Sequence, residues 1–299
     1  CRLLDIDAVP FFLAEIMASN IGGTATLIGD PPNIMIGSAA GLSFADFVMV
    51  DAPAAIICLI VMIGLFYLLF GRKFKVDEEH KRALMERDER EEIKNPTLLR
   101  PSVIMIILVT AGFMLHGSLG IESCVVALTA AGILMLISGE RIEEALAHVE
   151  WTTLVFFAGL FIVVGALSEV GVIGMLAQAL IDVTGGSTFV AMLVLLIASA
   201  IISSFLDNIP FVATMIPILL SMEATGMDVM PLWWAVSLGA CLGGNGTLIG
   251  ASANVVMSDI AKKHGTEITF IGFLKYGFPI MLVTIAVSAV YLIVRFPPM

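Results

Sequence analysis

The stretch GGTATLIGDPPN, Gly22 to Asn33, decides how the chain is read. It sets three glycines, two prolines, two threonines, an aspartate and an asparagine inside a run that is otherwise apolar, Phe11–Ala18 before it and Asn33–Ala40 after it. Hydrocarbon offers no partners for unpaired N–H and C=O groups, so unwound backbone at membrane depth must be buried in protein or line a wet cavity. Helix breakers and a carboxylate in such a place therefore point to a built polar site.

The rest of the composition supports a membrane setting. The 299 residues are 59% hydrophobic and only 14% charged, with a mean hydropathy of +1.03; soluble domains carry about a quarter charged residues. Several runs approach the roughly 20 apolar residues that cross a bilayer: Phe47–Phe70, Pro101–His116, Ile121–Ser138, Ser187–Leu206 and Phe273–Phe296. Thr152–Leu167 and Val170–Val183 are apolar with Glu169 between them, Phe211–Met222 is a further apolar run, and Leu232–Asp259 is apolar but interrupted. The reading is an all-α polytopic membrane protein. A net charge of −11 with no basic patch sets nucleic acid aside as a partner. Cys1, Cys58, Cys124 and Cys241 form no CxxC pair and read as small core residues. No cofactor or metal site is expected, and His116 has no second histidine beside it.

Between the apolar runs, Gly71–Arg100 holds nine Lys/Arg and eight Asp/Glu. It reads as a solvated, partly helical linker, laced with i,i+4 charge pairs. Because it carries nine of the chain's 15 basic residues, the positive-inside rule places it in the cytoplasm. The division expected is 1–70 for the end of a first transmembrane repeat, 71–100 for the linker and 101–299 for a second repeat.

The repeat is visible directly. GGNGTLIGASAN, Gly243–Asn254, matches the opening stretch at an offset of 221 residues, with identities at Gly22/Gly243, Gly23/Gly244, Thr26/Thr247, Leu27/Leu248, Ile28/Ile249, Gly29/Gly250 and Asn33/Asn254. Downstream, FADFVMVDAP (44–53) has the spacing of FIGFLKYGFP (270–279), each leading into a final span. Two glycine-interrupted membrane segments at corresponding places in two halves are the mark of a secondary transporter. A broken helix presents carbonyls that suit cations at one end and free N–H groups that suit anions at the other. Asp30 is placed to cap the second half-helix of the first repeat, with Pro31 at its first position; Ser252 is placed to cap in the second. A first half equivalent to the second would need roughly 120 residues before Cys1, so the N-terminal part of the first repeat is expected to be missing.

The segments ASNIGGTATLIGDPPNIMIG, SSFLDNIPFVATMIPILL, HVEWTTLVFFAGLF and LWWAVSLGACLGGNGTLIGASANVV resemble the ion transporter superfamily, in its arsenite permease, NhaD antiporter and melanocyte P-protein branch, a citrate-transporter-like domain. The resemblance implies an inverted-repeat secondary transporter with re-entrant hairpins, broken transmembrane helices, dimers and elevator-like alternating access. It implies substrate or ion binding at Asn20, Thr24, Thr26, Asp30 and Asn33 in the first loop. It implies the same at Asp207 and Asn208, followed by Pro210, at a hairpin tip, and at Gly244, Asn245, Thr247, Ser252 and Asn254 in the second loop.

Each candidate has a plainer role open to it. Asp207 reads as a functional intramembrane acid, or as the cap of a turn. Asp30 binds a cation, carries a proton or caps a half-helix. Asn33 and Asn254, like Thr26 and Thr247, either ligate an ion or tie down unwound backbone. Glu15, Glu122 and Glu169 are expected near segment ends, and Trp151, Trp233 and Trp234 as interfacial anchors.

The function expected is secondary active transport of a small inorganic ion across the plasma membrane, in the manner of an anion or arsenite permease, with Na⁺ or H⁺ as possible coupling ion. The alternative is Na⁺/H⁺ antiport. The site contains no Arg or Lys, which argues against a large polyanion such as citrate. Partners expected are the lipid bilayer, the ion and a second copy of the chain. An intramembrane aspartyl protease built on Asp30 and Asp207 is a remote alternative; Leu27 stands where a Gly-x-Gly-Asp motif needs glycine, and the repeat would go unexplained. The chain is therefore not expected to be an enzyme.

Overall fold

The computed structural model describes residues 1–299 except 2, 3, 5, 72–75, 77, 87–92, 94, 140, 141, 148, 150 and 299. The described elements are helices, with no strand among them. In chain order they are α1 (Val9–Thr24), α2 (Pro31–Ala40), α3 (Phe44–Phe70), α4 (Glu78–Met85), α5 (Pro96–Leu119), α6 (Ser123–Ser138) and α7 (Ile142–Ala147). Then follow α8 (Trp151–Glu169), α9 (Val172–Val183), α10 (Thr188–Phe205), α11 (Asn208–Ala224), α12 (Met230–Gly243), α13 (Ser252–Lys263) and α14 (Phe270–Arg295).

Among the described residues, α3, α5, α10 and α14 are long and apolar enough to cross a membrane. The pair α8–α9 makes a fifth candidate, bent by 72°, with Gly171 at φ +78 supplying the turn between them. The expected span at Ile121–Ser138 is shorter than that, 16 residues of α6 with Glu122 at the N-cap position. Much of the charged linker, and the side chain of His116, lie outside the described residues. Its described helix α4 carries an exposed Lys81–Glu78 ion pair at 2.7 Å.

Helix α12 is the centre of the fold. Its residues from Pro231 to Gly243 are all buried, and it packs on α1, α2, α10, α11 and α14. A helix that is apolar all round belongs inside. Its approach to α10 is close: a Cβ at Gly239 would stand 2.7 Å from Leu196 O, and one at Gly243 2.7 Å from Ala200 O. Trp233 and Trp234 belong to this core, each 2% exposed, and Trp234 meets Phe47 edge-on at 5.1 Å. They are packing residues rather than interfacial anchors; their position near a segment end misled because the helix buries every face. Trp151 is exposed, and its Nε1 donates to Leu146 O. Cys58 and Cys241 are buried as expected, whereas Cys124 is exposed in the first turn of α6. Glu15 lies mid-helix on the exposed face of α1, not at a segment end.

The long helices α3 and α14 are equivalent in detail. Ser43 Oγ accepts from Asp46 N in a capping box, and Thr269, its counterpart 226 residues on, accepts from Gly272 N. Phe47 and Phe273 are both fully buried, and Pro53 and Pro279 both lie inside their helices. The two helices meet at matched residues: Cys58 Sγ donates to the carbonyl of Thr284, its own counterpart, at 3.5 Å.

Candidate functional site

The opening stretch forms the break between α1 and α2, and its repeat forms the break between α12 and α13. The two breaks are built alike. Asn33 Nδ2 faces Thr26 O at 3.0 Å, Thr24 O at 3.2 Å and Gly23 O at 3.4 Å. Asn254 Nδ2 donates to Thr247 O at 2.9 Å and Gly244 O at 2.7 Å. Each asparagine thus reaches back from its half-helix to hold the carbonyls that the break releases, which the low-dielectric surroundings would otherwise leave unpaired. The glycines are required by contact: a Cβ on Gly23 would stand 2.8 Å from Gly29 O, and one on Gly250 2.8 Å from Gly244 O.

The half-helices begin at matched residues. Asp30 and Ala251 hold the N-cap positions with extended backbone, and neither makes a side-chain cap. Pro31 opens α2 as expected. Ser252 is the first residue of α13 rather than its cap; the break in the second repeat simply ends one residue earlier than that assignment. Freed from capping, the Asp30 carboxylate turns across the site, where its Oδ2 accepts from Asn208 Nδ2 at 3.0 Å.

The repeats also hold each other. Asn20, in the last turns of α1, donates from Nδ2 to Asn245 Oδ1 and Asn254 Oδ1, both at 2.8 Å. At the same offset its counterpart is Cys241, whose thiol donates back to Asn33 Oδ1 at 3.3 Å. Asn245 Nδ2 reaches Met17 O at 3.3 Å, and Thr24 Oγ1 donates to Asn20 O at 2.9 Å. Asn20 and Thr24 therefore sit on helix α1 beside the break, not in it.

Helices α10 and α11 form the third wall, joined through Leu206 and Asp207. Asp207 caps α11, its Oδ1 accepting from Ile209 N at 2.9 Å; its charge is within electrostatic reach of Asp30. Ser203 Oγ donates to Ala240 O at 2.7 Å and Ser204 Oγ to Gly243 O at 3.0 Å. Thr247 Oγ1 donates to Ser204 O. The second break is thereby fastened to α10.

Of the residues expected from sequence, Asn20, Asn33, Asn245 and Asn254 join one network, with Thr24, Thr247 and Gly244 bonded into it; Asp30 and Asn208 are bonded to each other beside it, with Cys241 standing between Asp30 and Asn33. Asp207 adjoins it; Thr26 enters through its carbonyl. Three further polar residues belong to it that the sequence reading did not select: Ser237, Cys241 and Asp51. Ser237 Oγ lies 2.8 Å from Asn33 Oδ1 and 2.6 Å from Asp51 Oδ2. The usable signal was Asp51 itself, an acid within an apolar span. Among the described residues no group of His, Cys, Asp and Glu is arranged to hold a metal ion in the manner of a resident cofactor.

Two broken helices joined by a buried polar network, inside a multi-pass helical membrane protein, define a membrane transporter. A citrate transporter family model matches residues 1–239, and the chain belongs to that family. It is 44% identical over 299 residues to a 46 kDa membrane protein of Mycobacterium leprae, covering 99% of this chain and 70% of that protein. It is 45% identical over 300 residues to an uncharacterized transporter of Mycobacterium tuberculosis, with the same coverage. The P protein of Mus musculus is 32% identical over 377 residues, covering 98% of this chain and 45% of its own length. The family and the two mycobacterial relatives are named as transporters or a membrane protein rather than as enzymes, which sets the protease reading aside.

Proposed function

We propose that the protein is a secondary active transporter of a small inorganic ion, with H⁺ or Na⁺ as coupling ion at Asp30 and Asp207. The observation that carries this is the convergence of two partly exposed carboxylates on the broken-helix network. None of the residues gathered at this site is Lys or Arg, so a polycarboxylate such as citrate would meet carboxylates without a cation to pair with. A small oxyacid of the arsenite type would instead use the N–H groups that open α13, since α2 opens on Pro31 and Pro32, which have none. Elevator-like movement of inverted repeats, a homodimer, a plasma-membrane location and a cytoplasmic linker at 71–100 complete the proposal, with repeats at 1–70 and 101–299.

Na⁺/H⁺ exchange is the second reading. It is favoured by the same two carboxylates, since like charges held close compete for one cation or proton. Labelled-arsenite uptake by the full-length protein in proteoliposomes separates the two. Accumulation driven by an imposed gradient supports the oxyacid cargo; no accumulation, with Na⁺ moving instead, supports exchange.

A further inference from the structure

Asp51 lies in the third turn of α3, wholly buried, among residues that give it no basic partner. Its Oδ2 stands 2.6 Å from Ser237 Oγ, and its Oδ1 has no hydrogen-bond partner among the described residues. On its other side Ser237 Oγ stands 2.8 Å from Asn33 Oδ1. The orientation of Asn33 is fixed, because its amide nitrogen faces three backbone carbonyls. Its Oδ1 is therefore only an acceptor.

A proton count follows. One hydroxyl carries one proton, yet Ser237 touches two acceptors if Asp51 is a carboxylate. The row closes when Asp51 carries a proton: Asp51 O–H donates to Ser237 Oγ, and Ser237 O–H donates to Asn33 Oδ1. When Asp51 loses that proton, the Ser237 hydroxyl turns to the carboxylate. Asn33 Oδ1 then keeps only the Cys241 thiol, at 3.3 Å, a weak donor.

We propose that Asp51 is a proton-binding site which sets the first helix break through Ser237 and Asn33. It rests on the transporter reading only for its consequence, the coupling of a proton to movement of the break. The repeat supplies an independent observation. The counterparts of Asp51 and Ser237 are Gly277 and Ile16, and a Cβ at Gly277 would already stand 2.5 Å from Asn245 O. The fold needs no polar pair at this place; one repeat alone has acquired it.

The titratable groups around Asp51 are few. From α12 comes Cys241, within electrostatic reach of both Asp51 and Asp30. From α14 comes Tyr291, whose hydroxyl donates to Val50 O at 2.7 Å and which interacts with Asp51 and Arg295; Lys275 and Tyr276 lie four turns earlier on that helix, with Lys275 over the Tyr276 ring. Helix α1 offers only Glu15, which is exposed. Helix α5 offers Arg100, exposed at its start, and His116, whose side chain lies outside the described residues. On α3 itself, Asp46 is engaged with Ser43, Cys58 faces Thr284 and Ser288, and Tyr67 is exposed.

The test is an infrared difference spectrum of the full-length protein in liposomes, taken between acidic and alkaline pH. The expected result is a protonated-carboxyl band that disappears on alkalinisation, is lost in Asp51→Asn and persists in both Asp30→Asn and Asp207→Asn. A band that survives Asp51→Asn, or no such band in the wild type, overturns the proposal. If Asp51→Asn does not fold, Ser237→Ala takes its place: the band must shift in frequency as its hydrogen bond is lost, and an unshifted band is equally fatal. A wild type that shows the band yet transports no ion would leave Asp51 a proton site and sink the transport reading instead.

Discussion

Asn20 of the first repeat donates to Asn254 of the second at 2.8 Å, across 234 residues of chain. The bond is reciprocated, because Cys241, the counterpart of Asn20, donates to Asn33, the counterpart of Asn254. The two breaks are thus not independent loops. Each is clamped by its own asparagine, and each clamp is held by the other repeat.

The exchange has an energetic signature. Asn20→Ala leaves two buried amide oxygens without their donor, and Asn254→Ala removes one of them along with two bonds to carbonyls. In a double-mutant cycle read by chemical denaturation in detergent micelles, the pair should couple by about 1–2 kcal/mol, as contacting residues in one network do. Additive effects would mean the bond carries no energy.

Clamping by Asn254 should be sensitive to charge as well as to deletion. Asn254→Asp sets a carboxylate oxygen against Gly244 O and Thr247 O in place of a donor. A buried polar group left unpaired costs about 1–3 kcal/mol, and more when charged. Asn254→Asp is therefore expected to lower the midpoint of thermal unfolding further than Asn254→Ala, although it is the closer match in shape.

Glycines at the core seam differ from glycines at the face of α1. Gly243→Ala drives a methyl group to 2.7 Å from Ala200 O, whereas nothing lies within 4 Å of a Cβ at Gly22. Overpacking of a close seam costs about 1–3 kcal/mol; Gly→Ala at an open helical position gains about 0.5–1 kcal/mol. Unfolding midpoints of the two variants should fall on opposite sides of the wild type.

Trp234→Ala distinguishes core from interface. Removal of a buried tryptophan costs about 3–5 kcal/mol, and its edge-on partner Phe47 loses its contact. A loss of well under 1 kcal/mol, in the same denaturation assay, would show that the ring lies outside the core.

The fold and half of the site were legible because the repeat writes the same residues twice. Asn33 and Asn254 stand out as identities, and the matched glycines mark where backbone must approach backbone. What connects the repeats was legible only in part. Asn20 was reached through the family resemblance alone; Cys241, its equivalent, differs from it in chemistry, so no identity flags it, and the partners of both lie more than 200 residues away. Asp51 was passed over because the span around it is otherwise uniformly apolar, and a window average dilutes one carboxylate. The tryptophans misled for a related reason. Their place in the sequence suggested an edge, whereas burial is set by α12 packing against neighbours on every side.

The most direct test of the account uses everted vesicles containing the full-length protein, with an acid interior and a pH-reporting dye. Na⁺ and arsenite are added in separate runs to wild type and Asp207→Asn. The expected result is collapse of the pH gradient by at least one of the two in the wild type, abolished by Asp207→Asn. A wild type that responds to neither, or an Asp207→Asn variant that responds as the wild type does, would contradict coupling at the broken-helix carboxylates.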